Sequence, residues 1–131
     1  MAPYQVALIE DNEDHVFLIR HLLEEQKEIG EIRVFRNAEK ALDAMTGAPD
    51  KDRFNPHFIL VDLKLPRMSG QEFLSRLRKS QANENLPIFV LTSSDRMEER
   101  RQCESLGALG YFVKPLGERH VQKIFRRLRA V

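Results

Sequence analysis

The chain has a single cysteine, Cys103, in 131 residues. That excludes an internal disulfide framework and any zinc site built on several thiolates. It fits a reducing, cytoplasmic compartment. A charge surplus is also missing: Lys plus Arg number 21 and Asp plus Glu 20, for a net charge of +1. Dedicated nucleic-acid binders usually carry a clear basic excess, so no nucleic-acid partner is expected. No apolar run approaches the roughly 18 residues that span a bilayer, so no membrane partner is expected either. The opening Met1-Ala2-Pro3-Tyr4-Gln5 lacks the basic and apolar stretches of a signal peptide. Internal repeats and low-complexity segments are absent. The length suits one domain, 1–131, with little room for a second.

The charges that are present fall in blocks. Glu10, Asp11, Glu13, Asp14, Glu24, Glu25, Glu28 and Glu31 face only Arg20 and Lys27 in their stretch. At the other end Arg119, Lys123, Arg126, Arg127 and Arg129 outweigh Glu118. Basic residues late in a final helix suit its dipole.

Hydrophobic patterning alternates between two periods. Gln5–Ile9, Ile32–Phe35, Phe58–Val61, Ile88–Leu91 and Leu109–Val113 are short, mostly apolar runs that read as strands. Helical patterns separate them. The first runs to about Gln26 with Leu18, Ile19, Leu22 and Leu23 as an apolar stripe and Phe17 nearly opposite. Asn37 reads as the cap of a second helix carrying Ala38, Ala41, Leu42 and Met45, followed by a polar loop from Thr46 to Asn55. Ser69, with Glu72 three residues on, opens a third helix to about Ser80. Asp95 reads as the cap of a fourth, to about Leu106, and a fifth carries Val121, Ile124, Phe125 and Leu128 on one stripe. Five strands alternating with five helices imply an α/β fold with a parallel sheet covered on both faces.

Ligands of such a sheet bind beyond the carboxyl ends of its strands. The first strand ends in Glu10-Asp11, the third in Asp62, the fourth in Thr92-Ser93 and the fifth in Lys114-Pro115. Three carboxylates gathered at one edge repel one another unless a cation intervenes. An all-oxygen donor set suits Mg2+ beside a phosphate. Lys114 adds a positive charge and Thr92 a hydroxyl. This set fits a phosphoryl group on or beside an aspartate, because a carboxylate can act as a nucleophile toward phosphorus.

With these residues in place the chain resembles the receiver domains of two-component response regulators, the CheY-like family. The resemblance rests on Glu10-Asp11, on the stretch from Val61 to Gly70 (VDLKLPRMSG), on Leu91-Thr92-Ser93 and on Tyr111-Phe112-Val113-Lys114-Pro115-Leu116, and it covers essentially the whole chain. The spacings, 30 residues from Asp62 to Thr92 and 22 from Thr92 to Lys114, also match. It implies a flavodoxin-like (βα)5 fold with strand order 2-1-3-4-5. It further implies that Asp62 is the phosphoacceptor and that Glu10, Asp11, Asp62 and the backbone carbonyl of Lys64 hold Mg2+, or Mn2+ in its place. The family often has Asp at the first of the acidic pair, and the longer Glu10 implies contact through a water. Lys114 would grip the phosphoryl oxygens, and Thr92 and Tyr111 would form the switch, the ring turning inward when the hydroxyl moves. Lys114-Pro115 would be a cis peptide, Pro66 and Gly70 would shape the acceptor loop, and Lys64 and Ser94 lie where the family tunes dephosphorylation.

The same resemblance implies partners. A sensor histidine kinase donates the phosphoryl group, and the polar loop and the residues around Asp62 resemble regulators paired with bacterial phytochrome kinases. Phe17, off the core stripe and near the acidic pair, is a candidate kinase contact. Leu109 and Tyr111 share a face with the fourth and fifth helices, where homodimerisation is expected. With no output domain after the fifth helix, the expected role is signalling by contact with a downstream protein. Alternatives are relaying the phosphoryl group to a phosphotransfer protein, and a phosphate-independent binding module. A module of the latter kind would be expected to lack Asp62, Lys114 or the acidic pair. A phosphatase with an aspartyl intermediate usually has a second Asp two residues after the nucleophile, where this chain has Lys64. The chain is thus expected to catalyse only its own phosphorylation and slow dephosphorylation.

Overall fold

The computed structural model describes residues 3–47, 49–80 and 83–130. Strands β1 (Tyr4–Ile9), β2 (Ile29–Phe35), β3 (Phe58–Asp62), β4 (Ile88–Thr92) and β5 (Gly110–Val113) alternate with helices α1 (Glu13–Glu24), α2 (Ala38–Thr46), α3 (Gly70–Arg78), α4 (Met97–Ser105) and α5 (Glu118–Ala130). The strands pair in parallel in the order β2-β1-β3-β4-β5. The fold is the one the sequence implies.

Each buried strand feeds two cores because its side chains alternate between faces. Ala7, Ile9, Ile59, Val61, Ile88 and Val90 meet Met45, Phe73, Leu74 and Leu77 on one side. Val6, Leu8, Phe58, Leu60, Phe89 and Leu91 meet Val16, Ile19, Leu23, Val121, Ile124, Phe125 and Leu128 on the other. All five residues of β3 and of β4 are buried, which explains their unbroken apolar runs.

Four local expectations change. The buried residues of α1 are Val16, Ile19 and Leu23, while Leu18 is 60% exposed. Leu18 lies about 200° around the helix from Val16, so neighbouring leucines mark the stripe poorly. Asp95 does not cap α4. Arg96 holds the cap position without a side-chain bond, and the Arg96 N–H is taken by Ser94 Oγ. β2 begins at Ile29, because it pairs with β1 from Tyr4 onward. The polar loop is shorter than expected. Thr46 belongs to α2, Asp50–Asp52 forms a 3-10 turn, and Arg53 donates to the Thr46 and Gly47 carbonyls. The helix caps Asn12, Asn37 and Ser69 each accept the expected backbone N–H.

Register sets the level of the strand ends. Ile9 pairs with Val61, Asp62 with Leu91, and Thr92 with Val113. Glu10, Asp62, Thr92 and Lys114 therefore leave the sheet within about one residue of a common edge.

Candidate functional site

Glu10 is fully buried at the end of β1, whereas Asp11 beside it is exposed. The Asn12 N–H donates to Glu10 Oε2 at 3.2 Å, and Lys114 Nζ donates to Glu10 Oε1. Asp62, 7% exposed, is held at both oxygens. The Lys64 N–H donates to Oδ1 at 3.0 Å and Lys114 Nζ to Oδ2 at 3.0 Å. Ligand oxygens of Glu10, Asp11 and Asp62 all lie within 4.8 Å of one another. The Lys114 N–H donates to the Thr92 carbonyl at 2.7 Å, and the Lys114–Pro115 peptide is cis.

Burial raises the Glu10 pKa, and the Asp62 charge adds to it against the opposing hydrogen bond from Lys114. For Lys114, burial pulls downward, but hydrogen bonds to Glu10 and Asp62 outweigh it and the pKa is raised. Two of the three carboxylates, Glu10 and Asp62, thus share one ammonium. Their clustered, hard oxygen donors and residual negative charge fit a divalent cation such as Mg2+.

The acceptor loop is tightly built. A Cβ on Gly70 would lie 2.6 Å from the Asp62 carbonyl oxygen, so glycine alone lets α3 start against the end of β3. Its N–H donates to the Leu63 carbonyl, and the Met68 N–H to that of Pro66. Arg67, at φ 65°, turns the chain there and pairs with Glu39.

Thr92 is fully buried. Its hydroxyl accepts the Ser94 N–H at 3.1 Å and donates to Glu99 Oε1 at 3.3 Å. The Tyr111 hydroxyl lies 2.8 Å from the same Glu99 oxygen and 2.9 Å from the Ser94 carbonyl. The resemblance expects Tyr111 to turn inward only when Thr92 moves. Here the ring is already inside, because these two acceptors satisfy its hydroxyl. Lys64 is exposed, and Leu109 is half-buried in a groove with Arg100, Glu104, Lys123 and Arg127. Phe17 is 69% exposed, its ring stacked on His21 at 6.3 Å.

Two residues enter that the sequence reading passed over. His15 Nδ1 sits 2.9 Å from Lys114 Nζ, an ammonium that can only donate to it. Its signal was a place in the first turn of the helix that follows Glu10-Asp11. Glu99 lies in a charged helix whose pattern does not mark it out from Glu98 or Glu104.

Residues 6–126 match the family model described as the response regulator receiver domain. The chain belongs to this family. Receiver domains are signalling modules of two-component systems. The chain is 30% identical over 127 residues to the probable methanogenesis regulatory protein FilR2 of Methanothrix harundinacea, covering 97% of this chain and 82% of that protein. The solved bacteriophytochrome response regulator RtBRR is 31% identical with a TM-score of 0.83, over 96% of this chain and 78% of that one. The receiver domain of the sensor histidine kinase PA1611 of Pseudomonas aeruginosa, solved with a magnesium ion coordinated in its active site cleft, shares the fold. Its TM-score is 0.81 at 22% identity, covering 99% of this chain and 100% of that one.

Proposed function

We propose that Asp62 accepts a phosphoryl group from a sensor histidine kinase in a Mg2+-dependent reaction, and that the modified protein signals by contact through α4, β5 and α5. The observation that carries this reading is Lys114 Nζ, bound at once to Asp62 and Glu10 in a cluster of three carboxylates. A cation already on the acceptor carboxylate can follow its charge onto the incoming phosphoryl oxygens.

In the transfer, a carboxylate oxygen of Asp62 forms a bond to phosphorus while the P–N bond to the kinase imidazole breaks. The electron pair stays on that nitrogen, which takes up a proton. The Lys64 N–H and Lys114 orient the Asp62 carboxylate. Glu10, Asp11, Asp62 and the Lys64 carbonyl would hold Mg2+ or Mn2+, which supplies charge neutralisation for the phosphoryl oxygens. Glu10 is also occupied by Lys114 and Asn12, which supports a contact through water. His15, as a third partner of Lys114, limits where its ammonium can move. Thr92, at the adjacent strand end, offers its hydroxyl to the new charge.

A groove of about 510 Å3 beside Lys114 supports docking of the donor. It is lined by Leu18, Ile19 and Leu22 of α1 together with Pro115 and Leu116. The exposed Phe17 stacks on His21, which borders that groove. Likeness to RtBRR favours a bacteriophytochrome kinase as the donor.

Acetyl phosphate with Mg2+, followed by intact mass measurement, tests the central step. Addition of one phosphoryl group to the wild type and none to Asp62→Asn is expected. A wild type that stays unmodified defeats the reading.

A further inference from the structure

Among the described residues, Glu99 is the one carboxylate that touches both proposed switch residues. Its side chain is 10% exposed, and its partners account for both oxygens. Oε1 accepts from the Tyr111 hydroxyl at 2.8 Å and from the Thr92 hydroxyl at 3.3 Å, and Oε2 accepts from Arg96 Nη2 at 3.3 Å. Burial would raise its pKa, but the bonds from Tyr111, Arg96 and Thr92 lower it on balance, so the carboxylate stays charged.

These bonds are unequal. Thr92 has one hydroxyl proton, and Glu99 accepts it at 3.3 Å, beyond the usual O–H···O range of about 2.5–3.0 Å. Tyr111 is held at an ordinary distance and is also aimed at the Ser94 carbonyl. Losing Thr92 would leave Glu99 with two donors and Tyr111 with two acceptors. The Thr92 bond is the one the set can give up.

We infer that Glu99 is a positioning residue that competes with a phosphoryl group on Asp62 for the Thr92 hydroxyl while keeping Tyr111 buried. The inference rests on the phosphoacceptor reading above. A hydroxyl proton cannot be donated fully to the Glu99 carboxylate and to a phosphoryl oxygen at once. Thr92 must therefore leave Glu99 when Asp62 is modified. Because Glu99 stands in the first turn of α4 and Tyr111 in β5, that single exchange acts directly on two elements of the proposed signalling face.

The test uses beryllofluoride with Mg2+ as the phosphoryl mimic and 19F NMR of the bound species to find half-saturation. Weakening the competitor in Glu99→Gln should lower the half-saturating concentration about fivefold, the scale of one hydrogen bond. In a Thr92→Ala background the same substitution should have no effect, since nothing is left to compete for. An equal shift in both backgrounds, or no shift in either, overturns the inference. A second readout needs no phosphoryl mimic. Tyr111 ionises near 12, raised by burial and then by its bond to Glu99. Its absorbance titration should fall toward the ordinary tyrosine range in Glu99→Gln and stay in place in Thr92→Ala. An unmoved titration in Glu99→Gln removes the hold on Tyr111 and with it the inference. Glu99→Asp, which draws the charge back by one methylene, replaces Glu99→Gln if the latter fails to fold, with the same outcomes. A wild type that binds no beryllofluoride defeats the phosphoacceptor reading and this inference together. Normal binding without a response to Glu99 defeats only this one.

Discussion

Burial gives individual side chains their work at the strand ends. Glu10 is held without solvent between a backbone N–H and an ammonium, and Lys114 is kept charged by two carboxylates despite its own desolvation. Tyr111 shows the same effect in a form that can be measured. Burial first, and its bond to Glu99 second, hold its proton until about 12. An unfolded chain releases it near 10. Between those values the unfolded state has lost the proton and the folded state has not. Stability that is complete below about pH 10 therefore declines as pH rises toward 12. Urea unfolding at about pH 9 and about pH 11 should show a smaller loss in Tyr111→Phe than in the wild type. Equal losses would contradict this account.

At the level of elements, the ends of helices matter more than their middles. Arg78, the last residue of α3, donates to the carbonyls of Asn83, Glu84, Leu86, Leu106 and Gly107. It ties the α3–β4 and α4–β5 connections together and lowers the freedom of α4, on which Glu99 stands. Burial lowers its pKa, and no carboxylate pairs with it among the described residues. Arg78→Met should cost about 2–4 kcal/mol, because several carbonyls lose a donor at once. Arg78→Lys should recover only part, since an ammonium lacks the planar fork. Thermal unfolding of both variants checks the order. On α1, Phe17 is exposed and stacks on His21 at the border of the proposed docking groove. Phe17→Ala should slow phosphoryl transfer from the kinase several-fold and leave the rate with acetyl phosphate unchanged. Equal slowing with both donors would remove Phe17 from the kinase contact.

On the scale of the whole molecule, the near-zero net charge conceals a division. α1 carries Glu13, Asp14 and Glu24, while α5 carries Arg119, Lys123, Arg126, Arg127 and Arg129. None of these five basic residues is in an ion pair among the described residues, whereas Glu13 and Glu24 pair with Arg36 and Arg20. The α4–β5–α5 face therefore combines mixed charge with the half-buried Leu109, and a homodimer through it is expected. Sedimentation at micromolar concentration, with and without beryllofluoride and Mg2+, should show a dimer in at least one state. Monomer in both would exclude it. No helix among the described residues is long and apolar enough to cross a membrane.

Sequence pattern by itself determined the strands, their parallel pairing and the row of Glu10, Asp11, Asp62, Thr92 and Lys114 at their ends. Strand burial leaves an unbroken apolar run, and a parallel sheet places every strand end on the same edge. The contacts of His15 and Glu99 depended on tertiary structure. Each lies on a helix, and which side of a helix meets a strand end depends on how that helix docks, not on the identity of its neighbours in sequence. Leu18 and Leu22 carry the same side chain, yet the docking of α1 exposes one and half-buries the other. Tyr111 could be assigned to a strand from its surroundings in the chain. Its ring is already inside, with the hydroxyl at a carboxylate twelve residues earlier and at the Ser94 carbonyl.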